Sequence, residues 1–176
     1  MPTARRWVAL LRGVMPTNCK MPALRAAFEA AGCTDVITVL GSGNVVFTAA
    51  GTEASLAARA EAAMAAHLGR RFATLVRPLD ELAALLAADR FATLAVPTGA
   101  KRVVTFLRAA PRPAPRLPVA ADGACIAARD ERVVFTHYRP SPRGPVFMKL
   151  IADAFGDDVT TRTWDTVARI VAAGRR

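Results

Sequence analysis

The sequence contains few of the residues that mark a specialised class of protein. Among its 176 residues it has only three cysteines, Cys19, Cys33 and Cys125. They are odd in number and form no Cys-x-x-Cys pair, so neither a disulfide framework nor a zinc site is predicted. No apolar run approaches the ~20 residues that a transmembrane helix requires, and no signal peptide follows the N-terminal basic residues. We therefore expect a cytoplasmic protein with no membrane partner.

The motifs of common enzymes are also missing. The segment "GSGNVV" that starts at Gly41 lacks the third glycine of a dinucleotide loop, and no Gly-Lys-Ser/Thr follows a strand. Ser42 does not stand in a Gly-x-Ser-x-Gly elbow. His67 and His137 have no metal-ligand spacing, and a lone His137 without an orienting partner favours a structural role. The sequence therefore predicts no cofactor and no metal site, and it pairs no nucleophile with a base.

What the sequence does contain is a large excess of positive charge. Twenty-four Lys and Arg against fourteen Asp and Glu give a formal net charge of +10. A field of this sign attracts phosphates, nucleic acids or anionic lipid headgroups. An Arg-rich composition shared with a whole proteome would produce the same excess, so the charge indicates a class of partner rather than a site.

The first half of the chain alternates short β-branched runs with segments of helical periodicity. Leu24, Ala27 and Phe28 share one helix face, and Gly32 is placed to end that helix. The predicted order is strand 7–12, helix 21–32, strands 35–40 and 44–49 joined by "GSG", helix 53–68 and strand 71–78. This β-α-β-β-α-β order predicts an α+β fold with a ferredoxin-like subdomain over residues 1–78.

The second half predicts further mixed structure. A helix over 79–89 and a strand over 102–108 precede the Pro-rich segment 110–118, which cannot continue a strand ladder. A hairpin over 124–138 turns near Asp130 and Glu131, a helix covers 146–155, and a last helix starts within 160–174. We predict a second α+β subdomain, related to the plait, over residues 79–176.

Four segments of the sequence resemble a known family. They are "VALLRGVMPTNCKMPALRAAFEAAG", "VLGSGNVVF", "GPVFMKLIADAFG" and "DVTTRTWDTVARI". In this order they are similar to the motifs of the bacterial family called domain of unknown function 1697. The resemblance implies two plait-like α+β subdomains, and it implies no activity.

The plait topology predicts one place where polar residues converge. In this fold the third strand lies between the first two, so the end of the first strand lies beside the start of the third, where the first helix also begins. A helix N-terminus offers unpaired N–H groups and partial positive charge to an anion. The predicted ligand-binding residues at this place are Arg12, Gly13, Asn18, Lys20, Ser42, Gly43 and Asn44.

Structural roles are the alternative for each of these residues. Gly43 and Asn44 are ordinary hairpin residues, Asn18 can cap the first helix, and Arg12 can pair with a carboxylate at the strand end. The same choice arises at Arg162, which precedes the last helix and could reach a phosphate. Its neighbour Trp164 could stack on a base, although its helical spacing favours the core.

Three functions remain open from the sequence. The leading hypothesis is a small binding module for a phosphate-bearing or other anionic ligand. The alternative is a nucleic-acid-binding protein that uses residues 101–143, where nine Lys or Arg stand against three acids, although the strands lack the Phe and Tyr ladder on which RNA bases stack. An enzyme of unrecognised type is the third.

Overall fold

The computed structural model describes residues 3–176, which form two compact units. The first unit is the chain up to Ala87 together with Val167–Arg176, and the second is Ala88–Thr166. The sequence predicts a boundary between two subdomains after residue 78, and this boundary remains a prediction. In the compact units of the structure, the helix after residue 78 and the C-terminal segment group with the first sheet.

The first unit is built on a four-stranded antiparallel sheet. Its strands lie in the order β2-β3-β1-β4, so β1 and β2 are parallel with β3 between them. This strand order and the β-α-β-β-α-β succession are those of the ferredoxin-like plait, which confirms the predicted α+β class. The elements are β1 (Arg5–Leu11), α1 (Met21–Ala30), β2 (Thr34–Val39), β3 (Asn44–Ala49), α2 (Glu53–Leu68), β4 (Thr74–Pro78) and α3 (Leu79–Ala88).

Capping residues and glycines set the ends of the helices in this unit. Leu24, Ala27 and Phe28 of α1 are buried, as their spacing predicts. Gly32 has a φ of 81° and follows the C-cap residue, which is the left-handed position that glycine favours. The side chains of Thr52 and Ser55 form a capping box at the start of α2. The buried faces of α1 and α2 pack on the same side of the sheet.

The second unit carries a five-stranded sheet in the order β6-β7-β8-β5-β9. Two of its strands, β6 and β9, were not predicted. Residues 160–163, expected to start the last helix, belong to β9, because these three threonines and Arg162 all pair with β5. Its elements are β5 (Lys101–Leu107), β6 (Val119–Ala121), β7 (Ala124–Asp130), β8 (Val133–Tyr138), α4 (Val146–Phe155) and β9 (Val159–Thr163). The last helix, α5 (Trp164–Gly174), follows β9 and from Val167 onwards belongs to the first unit.

The two halves of the chain repeat one topology. β5, β7, β8, α4, β9 and α5 follow one another as β1, β2, β3, α2, β4 and α3 do, and the Pro-rich segment with β6 stands in the place of α1. The registers agree as well. Val8 of β1 pairs with Arg77 on the neighbouring β4, and Val104 of β5 pairs with Arg162 on β9. Each residue of the first sheet therefore has a definable counterpart in the second.

The first strands of the two sheets also match in sequence. "RRWVALLR" starts at Arg5 and "KRVVTFLR" at Lys101, and both segments end in an exposed arginine, Arg12 and Arg108. The backbone N–H of the preceding leucine binds an equivalent carbonyl at 2.8 Å in both cases, from Leu11 to Gly43 and from Leu107 to Arg132. Arg12 and Arg108 are therefore counterparts.

Candidate functional site

The predicted meeting of strand ends is present at one edge of the first unit. The N–H of Leu11 donates to the carbonyl of Gly43, which precedes β3, and the N–H of Arg12 donates to the carbonyl of Ala73, which precedes β4, at 2.9 Å. α1 begins nine residues after Arg12, at Met21. The end of β1, the starts of β3 and β4 and the loop that leads into α1 are therefore neighbours.

Asn18 stabilises the loop between β1 and α1 through hydrogen bonds within the loop. Its Nδ2 donates to the carbonyl of Gly13 at 2.9 Å, and its Oδ1 accepts from the N–H of Met15 at 2.9 Å. It does not cap α1, because the N-cap residue is Lys20 and no side chain binds the first turn. The capping role considered for Asn18 is therefore wrong, and both ends of its amide are used to hold the loop.

Ser42, Gly43 and Asn44 are likewise engaged in the turn between β2 and β3. Asn44 is fully buried, and its Nδ2 donates to the carbonyl of Val39 at 2.9 Å and to Oγ of Ser42 at 3.1 Å. Gly43 adopts a φ of 83° and accepts the hydrogen bond from Leu11. These contacts are those expected of hairpin residues, so the three residues shape the wall beside Arg12.

The positively charged side chains at this edge differ in the partners that they contact. Arg71 is paired with Glu61 at 2.7 Å, whereas Arg70 lies over the ring of Phe72 at 5.0 Å. Nζ of Lys20 donates to the carbonyl of Pro16 at 3.2 Å and is exposed. The guanidinium of Arg12 is exposed and has no hydrogen-bond or ion-pair acceptor within residues 3–176.

The charge of Arg70 reaches the loop. Burial raises the pKa of the Cys19 thiol, and the positive charge of Arg70 opposes that rise. Cys19 immediately precedes Lys20, the N-cap residue of α1. The loop between β1 and α1 thus has the charges of Arg12 and Lys20 at its two ends and lies within the influence of Arg70. The first turn of α1 contains no acidic residue that would neutralise them.

Arg108, the counterpart of Arg12 in the second unit, is paired with a carboxylate. Its Nε donates to Oδ2 of Asp158 at 2.8 Å and its Nη2 to Oδ1 at 3.1 Å, a bidentate pair. Asp158 precedes Val159, which pairs with Leu107, and Ala73 precedes Thr74, which pairs with Leu11. Ala73 is therefore the counterpart of Asp158, and the carboxylate of the second unit is replaced by a methyl group in the first.

Arg162 lies in the second unit, on β9, apart in the chain from the other predicted site residues. It is only 8% exposed, and its Nη1 donates to Oγ1 of Thr160 at 2.8 Å and to the carbonyl of Thr161 at 2.9 Å. Burial lowers its pKa to about 10. Trp164 is also buried, edge-on to Phe91 at 5.2 Å, which confirms the core role favoured for it.

The arrangement at the end of β1 is suited to binding rather than to proton transfer. It offers a guanidinium, an ammonium and the N–H groups of a helix start other than that of Pro22, which has none, and all of these groups donate to anions. Sequence reasoning had placed Arg12 and Lys20 together. The absence of a carboxylate for Arg12 was not visible, because its significance depends on the counterpart pair of Arg108 and Asp158.

The fold and this edge define a class of small α+β protein with two plait-related units. The chain belongs to the family described as protein of unknown function DUF1697, whose profile matches residues 4–137. This confirms the family resemblance, and the first two of the four similar segments lie within the matched residues. No curated protein matches the chain.

A solved structure is similar to this one. It is the conserved bacterial protein SP0830 from Streptococcus pneumoniae, with a TM-score of 0.71 over 99% of this chain and 100% of that chain. The two sequences are 16% identical. At this identity the similarity shows a shared fold. Within the described residues, 3–176, no helix is both long and apolar enough to cross a membrane.

Proposed function

We propose that the protein is a binding module for a phosphate-bearing or similarly anionic small ligand, held at the end of β1 in the first unit. The observation that supports this most is the difference between the two counterpart arginines. Arg108 is neutralised by a bidentate carboxylate, whereas the guanidinium of Arg12 has no such acceptor among residues 3–176. An anionic ligand would complete at Arg12 the pairing that Asp158 provides at Arg108.

The surroundings of Arg12 favour an anion of more than one oxygen. Lys20 and Arg70 add positive charge on the side of the loop, and α1 begins there without a capping side chain. Phosphate groups present several acceptor oxygens and suit the planar fork of an arginine together with helix N–H groups. Asn18 and Asn44 contribute by holding the loop and the turn in place.

Replacing Arg12 with Ala is expected to weaken binding and leave the fold intact. The side chain is exposed, so the free energy of unfolding should change by no more than about 0.5 kcal/mol. Loss of one charged donor typically costs about 1.5 to 3 kcal/mol of binding, roughly a ten- to hundredfold weaker affinity. Thermal shift with inorganic phosphate, nucleotides and sugar phosphates identifies the best probe, and calorimetric titration then gives its Kd with each variant.

The counterpart pair provides matched controls. Arg108→Ala removes the same side chain from the second unit and breaks an exposed ion pair, so it should change stability by about 1 kcal/mol or less and leave Kd unchanged. Ala73→Asp places a carboxylate where Asp158 stands relative to Arg108. It should abolish binding at unchanged or slightly raised stability. If Arg12→Ala and Ala73→Asp both bind as the wild type does, or if no probe raises the melting temperature of the wild type, the proposal is wrong.

Nucleic acid is the other anionic partner that the net charge allows, and salt dependence separates it from a small ligand. Binding of duplex DNA through several phosphates should weaken with a log–log slope of about 0.9 per neutralised phosphate. A single phosphate group at Arg12 should give a slope near one. Titration of a mixed-sequence duplex between low and physiological salt measures this slope. A steep slope that Arg12→Ala does not change would favour the basic segment 101–143 instead.

A further inference from the structure

A cavity of about 350 Å³ lies in the second unit, beside the turn between β6 and β7 and the C-terminal end of β8. Much of its wall is formed by alanine side chains, and its polar lining includes Cys125 and His137. Neither residue belongs to the edge proposed to bind an anion. The cavity is therefore a separate feature of the molecule.

Cys125 and His137 stand directly opposite each other on β7 and β8. Directly opposite residues of an antiparallel pair point to the same face of the sheet, with Cβ atoms about 4.5 to 5.5 Å apart. Both side chains line the same cavity. The thiol and the imidazole are thus brought together by the register of two adjacent strands.

The side chain of His137 is largely buried and has no hydrogen-bond partner among the described residues. Its residue is only 8% exposed, and no group within residues 3–176 is hydrogen-bonded to the ring. Buried polar side chains are nearly always hydrogen-bonded or bound to an ion. The ring nitrogens are not among the enclosed polar atoms that lack a partner, so they keep access to the cavity and can be reached by a ligand from outside the chain.

A metal ion would bind the two side chains as a thiolate and a neutral imidazole. On binding, the S–H bond breaks, the proton leaves to solvent, and the sulfur and one ring nitrogen each form a bond to the ion.

We propose that Cys125 and His137 together bind a soft monovalent metal ion of the Cu(I) type in a two-coordinate site. Thiolate sulfur selects soft ions, whereas zinc in proteins takes four ligands. Within the described part of the chain, no three His, Cys, Asp or Glu side chains are grouped to hold a metal ion. Two-coordinate binding suits monovalent d¹⁰ ions.

Charge also favours a monovalent ion over a divalent one. A thiolate, a neutral imidazole and Cu(I) together carry no net charge. Zn(II) in the same place would leave one positive charge. The charged side chains around it are one carboxylate, Asp122, and two guanidiniums, Arg139 of the cavity wall and Arg102, which pairs with His137 across β5 and β8, so cations are in excess. Like charges held close together disfavour binding. Cu(I) is therefore expected to bind far more tightly than Zn(II).

Anaerobic titration with Cu(I), in competition with the chromogenic chelator bicinchoninate, tests the site. The reduced wild type should take up one equivalent. Cys125→Ser and His137→Asn should each weaken binding by at least about a hundredfold, the upper end of what even the loss of an outer-shell partner costs a metal site. The Cys19→Ser/Cys33→Ser double variant removes the other two thiols, which are buried in the first unit, and should bind as the wild type does.

A second measurement uses only the wild-type protein and does not depend on whether the variants fold. Bound Cu(I) should protect Cys125 from alkylation by N-ethylmaleimide, as read by peptide mass spectrometry, while Zn(II) at the same concentration should not. The proposal is overturned if no equivalent of Cu(I) is bound, if Zn(II) protects Cys125 equally well, or if a folded His137→Asn variant binds Cu(I) as the wild type does, which would indicate a simple thiol.

Discussion

Phe28→Ala is expected to lower the free energy of unfolding by about 3 to 5 kcal/mol, the range for removing a large buried aromatic side chain. Phe28 is fully buried in α1, and its ring centroid lies 5.4 Å from that of Phe47 on β3 at an interplanar angle of 58°. The substitution removes both the buried apolar area and this tilted aromatic contact. It leaves a cavity that the close-packed sheet beneath α1 fills only in part.

Urea unfolding followed by circular dichroism measures this loss, and Arg25→Ala on the same helix is the control. Arg25 is exposed, and its ion pair with Glu29 lies on the surface of α1, so its removal should change stability by about 0.5 kcal/mol or less. Both variants carry an added alanine in one helix, and their difference therefore isolates burial from helix propensity. A loss below about 1 kcal/mol for Phe28→Ala would mean that the buried face of α1 is misassigned.

The fold was most predictable where periodicity and punctuation coincided. The predicted limits of the helices over 53–68 and 146–155 agree with α2 and α4, because an apolar stripe of helical period ends in each case at a glycine. β9 was not predicted, since Thr160 to Thr163 lead directly into a helix and threonine also serves as a helix cap. Tertiary pairing with β5 decided between these two roles.

Strand register sets the limit on predicting sites. A hairpin that turns after Asp130 pairs Asp130 with Val133, and continuing that register would place Cys125 opposite Tyr138. A bulge between Ile126 and Ala128 shifts the pairing by one residue and brings Cys125 opposite His137. Neither residue type nor spacing signals this shift, so the sequence favoured a lone structural histidine.

At the end of β1 the topology was predictable and the individual roles were not. The plait order alone places Arg12 beside Gly43, because strand order follows from right-handed crossovers. Asn18 and Asn44 were expected to face a ligand, yet their amides bind backbone carbonyls of Gly13 and Val39. A side-chain amide serves a ligand and a backbone carbonyl equally well, and only the coordinates of the loop decide which is within reach.

Gly43→Ala should destabilise the first unit by about 3 kcal/mol, from two effects of similar size. Gly43 has a φ of 83°, a left-handed conformation that costs other residues roughly 1 to 2 kcal/mol. A Cβ atom at this position would lie 2.9 Å from the Cβ atoms of Leu11 and Val14. Crowding in a packed region costs about 1 to 3 kcal/mol more. Because Gly43 also accepts the hydrogen bond from Leu11, the end of β1 should shift, and binding at Arg12 should weaken.

Gly13→Ala separates the two effects, because Gly13 has a φ of 78° but no atom within 4 Å of an added Cβ. It should lose only the conformational part, about 1 to 2 kcal/mol. The difference in unfolding free energy between the two variants, measured in urea under one set of conditions, therefore reports the crowding against Leu11 and Val14. Equal losses would show that β1 and its loop yield to the new methyl group. In that case the backbone beside Arg12 would be adaptable, and a ligand there would be held by charge more than by a fixed shape.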